Sequence, residues 1–188
     1  MNKRCSTRIG GALLGAAAIF ANMGAAMAEQ DCDLKQAAST PMEAFAPSEN
    51  GTVIDRRRGL MWMRCAVGQR WVRDHCTANF ERFEYRDTFA AANEINRSGG
   101  FAGYQDWRIP EIEELFSIVE DRCFSPAIDQ TFFPQTPITG YWSASPDPTY
   151  ASGAMLVHFY NGVRYMGNKD QYWALRLVRK VQSGPAKQ

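Results

Sequence analysis

Apolar positions along this chain recur with two different spacings, and the spacing changes part-way. Thr52-Val53-Ile54-Asp55 and Leu60-Met61-Trp62-Met63 are short apolar runs on either side of Arg56-Arg57-Arg58-Gly59. That pattern predicts two strands and a polar turn. Arg86 to Asn96 (RDTFAAANEIN) changes to helical spacing, with Phe89, Ala92 and Ile95 on one face and Ala90 and Ala91 alongside. Ser98-Gly99-Gly100 supplies its stop, because glycine accepts the left-handed conformation past a helix end. Pro110 to Glu120 (PEIEELFSIVE) predicts a second helix. Pro110 suits the first helical position, and Glu111, Glu113 and Glu114 lie where the helix dipole favours anions. Ile112, Leu115, Phe116 and Val119 form a stripe that should face a core.

From Tyr141 onward the period shortens to that of strands. Tyr141 to Ser145 is one strand, and Ser145 to Gly153 is a loop rich in proline and glycine. Met155 to Tyr160 and Val163 to Met166 flank Asn161-Gly162, a strong hairpin signal. A two-residue turn there pairs Tyr160 with Val163 and His158 with Tyr165. Leu156, His158, Tyr160, Val163 and Tyr165 then share one face, and Met155, Val157, Phe159, Arg164 and Met166 share the other. Tyr172 to Val181 predicts a closing strand. Helices first and strands afterwards imply an α+β fold.

The start of the chain has a different character. Lys3, Arg4 and Arg8 precede an apolar stretch from Gly11 to Ala21, and Ala26-Met27-Ala28 is a small-x-small site. This order predicts a signal peptide cleaved after Ala28, and so a periplasmic or extracellular protein. A retained anchor fits less well, because the stretch falls short of about 20 strongly apolar residues. No membrane span is expected after cleavage. Taking 28 residues from 188 leaves 160, and taking three cations from 21 leaves 18 against 20 acids, a net charge of −2. That balance argues against nucleic acid as a partner, since phosphate-backbone binding needs a basic surface. Residues 29–50 read as an irregular lead-in tethered at Cys32, residues 51–181 as the domain, and 182–188 as a flexible tail.

Cys32, Cys65, Cys76 and Cys123 remain once Cys5 leaves with the signal peptide. In an oxidising compartment they suggest two disulfides, with three connectivities open. A four-thiolate zinc site is the alternative, and no C-x₂-C pair supports it. Of the two histidines, His75 precedes Cys76 and His158 lies in a strand. No Gly-x-Ser-x-Gly, H-E-x-x-H, phosphate loop or EF-hand loop is present. The chain is expected not to be an enzyme and to carry no metal or cofactor. The Arg56 to Arg58 run reads as solvated charge and the helix-start glutamates as dipole partners. Aromatic residues with polar tips on the hairpin could stack on sugar or lie in an interface. Tyr160, Arg164, Tyr165 and Lys169 are the candidate ligand-binding residues. Arg164 and Tyr165 are neighbours in a strand, so a regular strand turns them to opposite faces.

Several segments taken together resemble one family. They are Gly51-Thr52-Val53-Ile54-Asp55, Gly59-Leu60-Met61-Trp62-Met63-Arg64-Cys65 and Gly100 to Pro110 (GFAGYQDWRIP). Pro126-Ala127-Ile128-Asp129, Phe133-Pro134, Tyr141 to Ser145, Phe159-Tyr160-Asn161-Gly162 and Val178-Arg179 follow in order. The order is similar to that of the Lcl C-terminal domain family, the globular domain of a bacterial collagen-like adhesin. The resemblance implies a C-type-lectin-like α+β fold, with two helices on a twisted antiparallel set of strands, and an extracytoplasmic location. It also implies disulfides Cys65–Cys76 and Cys32–Cys123.

Arg108-Ile109-Pro110 is similar to a helix start in relatives of sulfatase-modifying factors. Those enzymes use a late cysteine pair, and no cysteine follows Cys123, so their activity is not carried over. The Glu-Pro-Asn and Trp-Asn-Asp signatures of calcium-dependent lectins are absent too. The adhesin's glycosaminoglycan binding transfers poorly to a chain of net charge −2 without the collagen-like stalk. The expected function is an exported, non-catalytic binding module that recognises a glycan or an envelope protein. An envelope or pilus-associated structural subunit is the alternative, and an enzyme related to sulfatase-modifying factors a further one.

Overall fold

A computed structural model describes residues 30–77 and 79–181. The expected signal peptide, its expected cleavage site and the expected tail at 182–188 lie outside the described residues. In chain order the elements are β1 (Asp31–Cys32), β2 (Phe45–Pro47), β3 (Thr52–Asp55), β4 (Leu60–Met63), β5 (Arg70–Val72) and β6 (His75–Thr77). Then come α1 (Tyr85–Arg97), α2 (Ile112–Phe116), β7 (Cys123–Phe124), β8 (Gly140–Pro146), β9 (Gly153–His158), β10 (Val163–Asn168) and β11 (Val178–Lys180). One sheet runs β11-β4-β3-β2 and another β10-β9-β8, with the small pairs β1-β7 and β5-β6 beside them. The strand pairs are antiparallel. The architecture is therefore α+β, mostly antiparallel sheet with two helices.

β3 and β4 form the expected hairpin. The buried Asp55 carboxylate accepts the backbone N–H groups of Arg57 (2.9 Å) and Arg58 (3.2 Å), which fixes the turn between them. The lead-in is more ordered than its composition suggests. Its β2 adds an edge strand to β3, and the buried Phe45 ring stacks on Phe132 at 4.9 Å. α1 buries Thr88 and Ala92, while Ala90 is exposed and Phe89 is 42% exposed, edge-on to Tyr85. The core stripe thus runs one residue away from the Phe89 position.

The second helix is much shorter than Pro110 to Glu120. Pro110 lies outside it, because Glu111 is the N-cap and forms a capping box with Glu114. The Ser117 hydroxyl bonds back to the Glu114 carbonyl at 2.6 Å, and Val119 then bridges Ile128 instead of continuing the helix. Ile112, Leu115 and Val119 are nevertheless buried.

The hairpin loop has four residues, Phe159 to Gly162, not two. His158 pairs with Val163 and Leu156 with Tyr165, a slip of two residues from the expected register. An even slip preserves the faces of the remaining strand residues. Phe159 and Tyr160 leave the ladder because other partners claim their backbones. The Ala127 N–H donates to the Phe159 carbonyl and the Ser125 N–H to the Tyr160 carbonyl, both at 2.7 Å. Phe159 is fully buried, edge-on to Tyr141 at 5.0 Å.

Only Val178–Lys180 of the expected closing strand pairs as a ladder. Residues 173–177 instead bond to several elements in turn. Trp173 bridges Phe83, Ala174 bonds to Gly140 and Trp142, Leu175 accepts from Val67, and Leu177 accepts from Met63. This buried segment separates two apolar clusters. The first holds Trp62, Leu115, Ile128, Phe133, Tyr141 and Val157 between the two larger sheets and α2. The second holds Met61, Met63, Ala92, Trp107, Ile109, Leu175 and Leu177 under α1. Cys32–Cys123 bolts β1 to β7, and Cys65–Cys76 closes the loop that carries β5 and β6. Among the described residues no helix is long and apolar enough to cross a membrane.

Candidate binding groove

The four candidate ligand residues do not gather in one place. Arg164 points toward α2, where its two Nη atoms donate to the Glu113 carboxylate at 2.6 and 2.8 Å. Its guanidinium also lies 3.9 Å from the Phe116 ring centroid. It clamps the helix to the sheet. Tyr165 takes the opposite face, as strand alternation requires, edge-on to His158 at 6.0 Å. His158 is edge-on to Trp173 at 5.9 Å, and its Nδ1 accepts the Tyr160 N–H at 3.2 Å. Burial lowers the His158 pKa. Tyr160 sits in the hairpin loop against Phe124. Lys169 lies beyond the other end of β10 and donates to the Ala151 carbonyl at 2.6 Å. A six-residue strand, roughly 20 Å long, separates Tyr160 from Lys169.

Other charged groups are engaged within the fold. Asp106 binds Arg179 through both carboxylate oxygens (2.6 and 3.1 Å), and this bond holds its pKa down. Arg179 also lies 3.8 Å from the Tyr104 ring centroid. Glu114 binds Arg108 through two 2.7 Å bonds. Burial pushes the Glu114 pKa up, but the bonds from Arg108 and the Glu111 backbone outweigh it and leave it lowered. Among the described residues no three His, Cys, Asp or Glu side chains gather to hold a metal ion.

An open concavity with an apolar floor lies elsewhere. A groove of about 630 Å³ runs between α1 and the disulfide-closed loop. Its apolar lining includes Met63, Val67, Phe83, Ala91, Ile95 and Phe101. All six belong to the second core or pack against it, and five of them are only partly buried. The groove is therefore a flank of that core left uncovered. Each wall has a local cause. The Val67 N–H donates to Leu175 and the Val67 carbonyl accepts from Glu81, both within 2.9 Å, so the loop is pinned on both sides. Gly68 is required at this crossing, with φ +91° and a Cβ site only 2.6 Å from the Glu81 nitrogen. On the other wall, Asn96 accepts the Trp107 N–H (3.0 Å) and donates to the Trp107 carbonyl (2.8 Å). That pair ties the end of α1 to the chain that returns past Phe101.

The sequence profile of the Lcl C-terminal domain matches residues 51–179, more than half of the chain. The chain belongs to that family. No protein with curated annotation matches it. The Lcl C-terminal domain match contains both walls of the groove, the β9–β10 hairpin and the Cys65–Cys76 loop. It excludes β1, β2 and Cys32, so the Cys32–Cys123 bond and the β2–β3 pairing fasten a lead-in to the Lcl C-terminal domain from outside it.

Sequence reasoning missed the groove. Ala91 and Ile95 were legible as the inner face of a helix, and that is also how a covered core residue reads. Nothing in the sequence separates the partly covered part of such a face from the rest. Phe83 and Val67 carry no local signal at all, since each sits in irregular chain.

Proposed function

We propose that this protein is an exported, non-catalytic binding module with a C-type-lectin-like fold. It recognises a glycan or protein partner at the cell envelope or outside the cell. The observation that carries the reading is the groove of about 630 Å³ into the second core, walled by α1 and a disulfide-closed loop. That volume is in the usual range of clefts that hold ligands, about 300–1,000 Å³. An open apolar floor of this kind gains when a partner covers it. Family membership and the resemblance to an adhesin's C-terminal domain support the same reading. The pairing of all four described cysteines supports a periplasmic or extracellular location, because disulfides persist in oxidising compartments. The structural engagement of Asp106, Glu114 and Glu120 supports a non-catalytic role, since these acids hold the fold together.

The test is a glycan and glycosaminoglycan array beside a pull-down from envelope extracts. Both use the disulfide-intact chain, with Ala91→Phe as the filled-groove control. The expected result is a saturable partner in one of the two experiments that Ala91→Phe loses. Failure of the unaltered chain in both overturns the reading.

A further inference from the structure

We infer that the groove takes a segment of a protein partner in which a bulky apolar side chain stands beside a cationic residue. The inference deepens the binding reading above and rests on it. It comes from counting which polar groups of the groove remain free. Trp71 Nε1 donates to the Glu49 carbonyl at 2.7 Å. Gln69 accepts the Ala66 N–H at 3.0 Å and donates to the Gln135 carbonyl at 3.3 Å. Asn50 Oδ1 accepts both the N–H and the hydroxyl of Thr52. The Ser98 hydroxyl donates to Glu94 at 2.7 Å. A sugar is held by neutral side-chain donors and acceptors around its ring hydroxyls, and here most of those groups are already occupied, the exposed Asn50 amide NH₂ being the exception.

Beyond that amide, charge and apolar surface are what remain. Glu81 follows the disulfide loop, Glu94 stands on α1 and Arg70 lies on β5, which leaves the lining one negative charge in excess. Among the described residues the Glu81 carboxylate has neither a hydrogen-bond donor nor an ion pair. Arg97 lies 3.8 Å from Glu94, but their side chains are 74% and 68% exposed, and water screens such a pair. Two carboxylates on opposite walls of an apolar floor fit a cationic, apolar segment. The floor supplies most of the affinity, and the carboxylates supply orientation and discrimination by charge.

The experiment uses the full chain with both disulfides closed and three capped pentapeptides, Ser-Lys-Leu-Lys-Ser, Ser-Glu-Leu-Glu-Ser and Ser-Lys-Ser-Lys-Ser. Binding is read from backbone amide shifts of Val67, Phe83, Ala91, Ile95 and Phe101. The Lys-Leu-Lys peptide is expected to move these amides. Replacing its leucine by serine weakens binding about tenfold or more, the ratio expected from burying one leucine side chain. Glu81→Gln and Glu94→Gln each weaken it about threefold, and 0.5 M salt removes most of that difference. A double variant, Glu81→Gln with Glu94→Gln, leaves the groove's volume unchanged because each swap is isosteric, so it tests the charge argument even if Ala91→Phe fails to fold. Equal binding of the glutamate peptide, or no shift with any peptide, overturns the inference. So does a groove occupied by a glycan in the array experiment. A partner that the unaltered chain and the double variant capture equally overturns it too, yet leaves the binding function standing. Loss of every partner by the unaltered chain removes both.

Discussion

Glu120 gives the sharpest test of how the lead-in is held. Its carboxylate is fully buried. It accepts the Thr40 hydroxyl (2.5 Å), the Thr40 N–H (3.1 Å), the Ser39 N–H (3.1 Å) and the Ser39 hydroxyl (3.3 Å). The Arg122 N–H is the fifth donor (3.4 Å), and the Arg122 guanidinium stands 3.5 Å away as an ion pair. Four of these five donors come from the lead-in, outside the family match. Glu120→Gln keeps the shape but turns an NH₂ group toward backbone donors and removes the charge. Hydrogen bonds to a charged group are worth about 1.5–3 kcal/mol each. Some of that returns through the amide oxygen, so the expected net cost is about 3 kcal/mol, near the upper end of ordinary single-site losses.

The pH dependence makes the prediction specific. Burial alone would raise the Glu120 pKa, but the bonds from Thr40, Ser39 and Arg122 outweigh it and hold it below the usual value. A group whose pKa is lower in the folded state contributes stability above its unfolded pKa. That contribution is lost as pH falls through the folded value. The gap between the unaltered protein and Glu120→Gln should therefore be full at pH 7 and should close on acidification, once both side chains are neutral. Urea unfolding followed by tryptophan fluorescence, at several values from pH 7 downward, measures it. A pH 7 cost below about 1 kcal/mol, no more than an ordinary neutral hydrogen bond, would refute the account. So would a gap that stays constant into acid.

Three further outcomes follow from the same geometry. Cys32→Ser with Cys123→Ser opens a loop of 91 residues and should cost about 4–5 kcal/mol in denaturant titrations, on the chain-entropy account. Arg176 is fully buried and donates to the carbonyls of Met63 and Arg64 and to the Thr136 hydroxyl, with no carboxylate beside it among the described residues. Arg176→Lys should lose about 3 kcal/mol or more, because a compact ammonium cannot span acceptors arranged for a planar fork; soluble yield and urea midpoints check it. Arg164→Ala should cost about 1 kcal/mol by releasing Glu113 and Phe116, whereas Tyr165→Ala should stay within about 0.5 kcal/mol. Neither change should reduce groove binding in the peptide titration.

Local pattern carried the sequence reading a long way. The β3–β4 hairpin and α1 follow directly from period and turn chemistry, and the Ile112, Leu115 and Val119 stripe was legible even though its helix was not. Misreadings arose where distant chain competed for a backbone. Phe159 and Tyr160 left their ladder for Ala127 and Ser125, and residues 173–177 bonded to several elements instead of one neighbouring strand. β2 was hidden in an Ala- and Pro-rich lead-in, because an edge strand needs only a partner, and its partner Thr52–Asp55 supplied the pattern. The candidate residues on β10 were placed on the correct faces. Their proximity was not legible, because alternation says which way a side chain points and nothing about what waits there.

The sequence by itself determined the fold class, the family, the opposed orientations of Arg164 and Tyr165, and the presence of four cysteines for two bonds. All of these depend on residue order, spacing or composition, which survive without coordinates. Tertiary structure alone decided that α1 covers the second core incompletely and that most of the neutral polar groups around the opening are already engaged. Each depends on how closely separate segments approach. The space of about 630 Å³ left between α1, which carries Ile95, and the loop at Val67 is the difference between a sealed core and a groove.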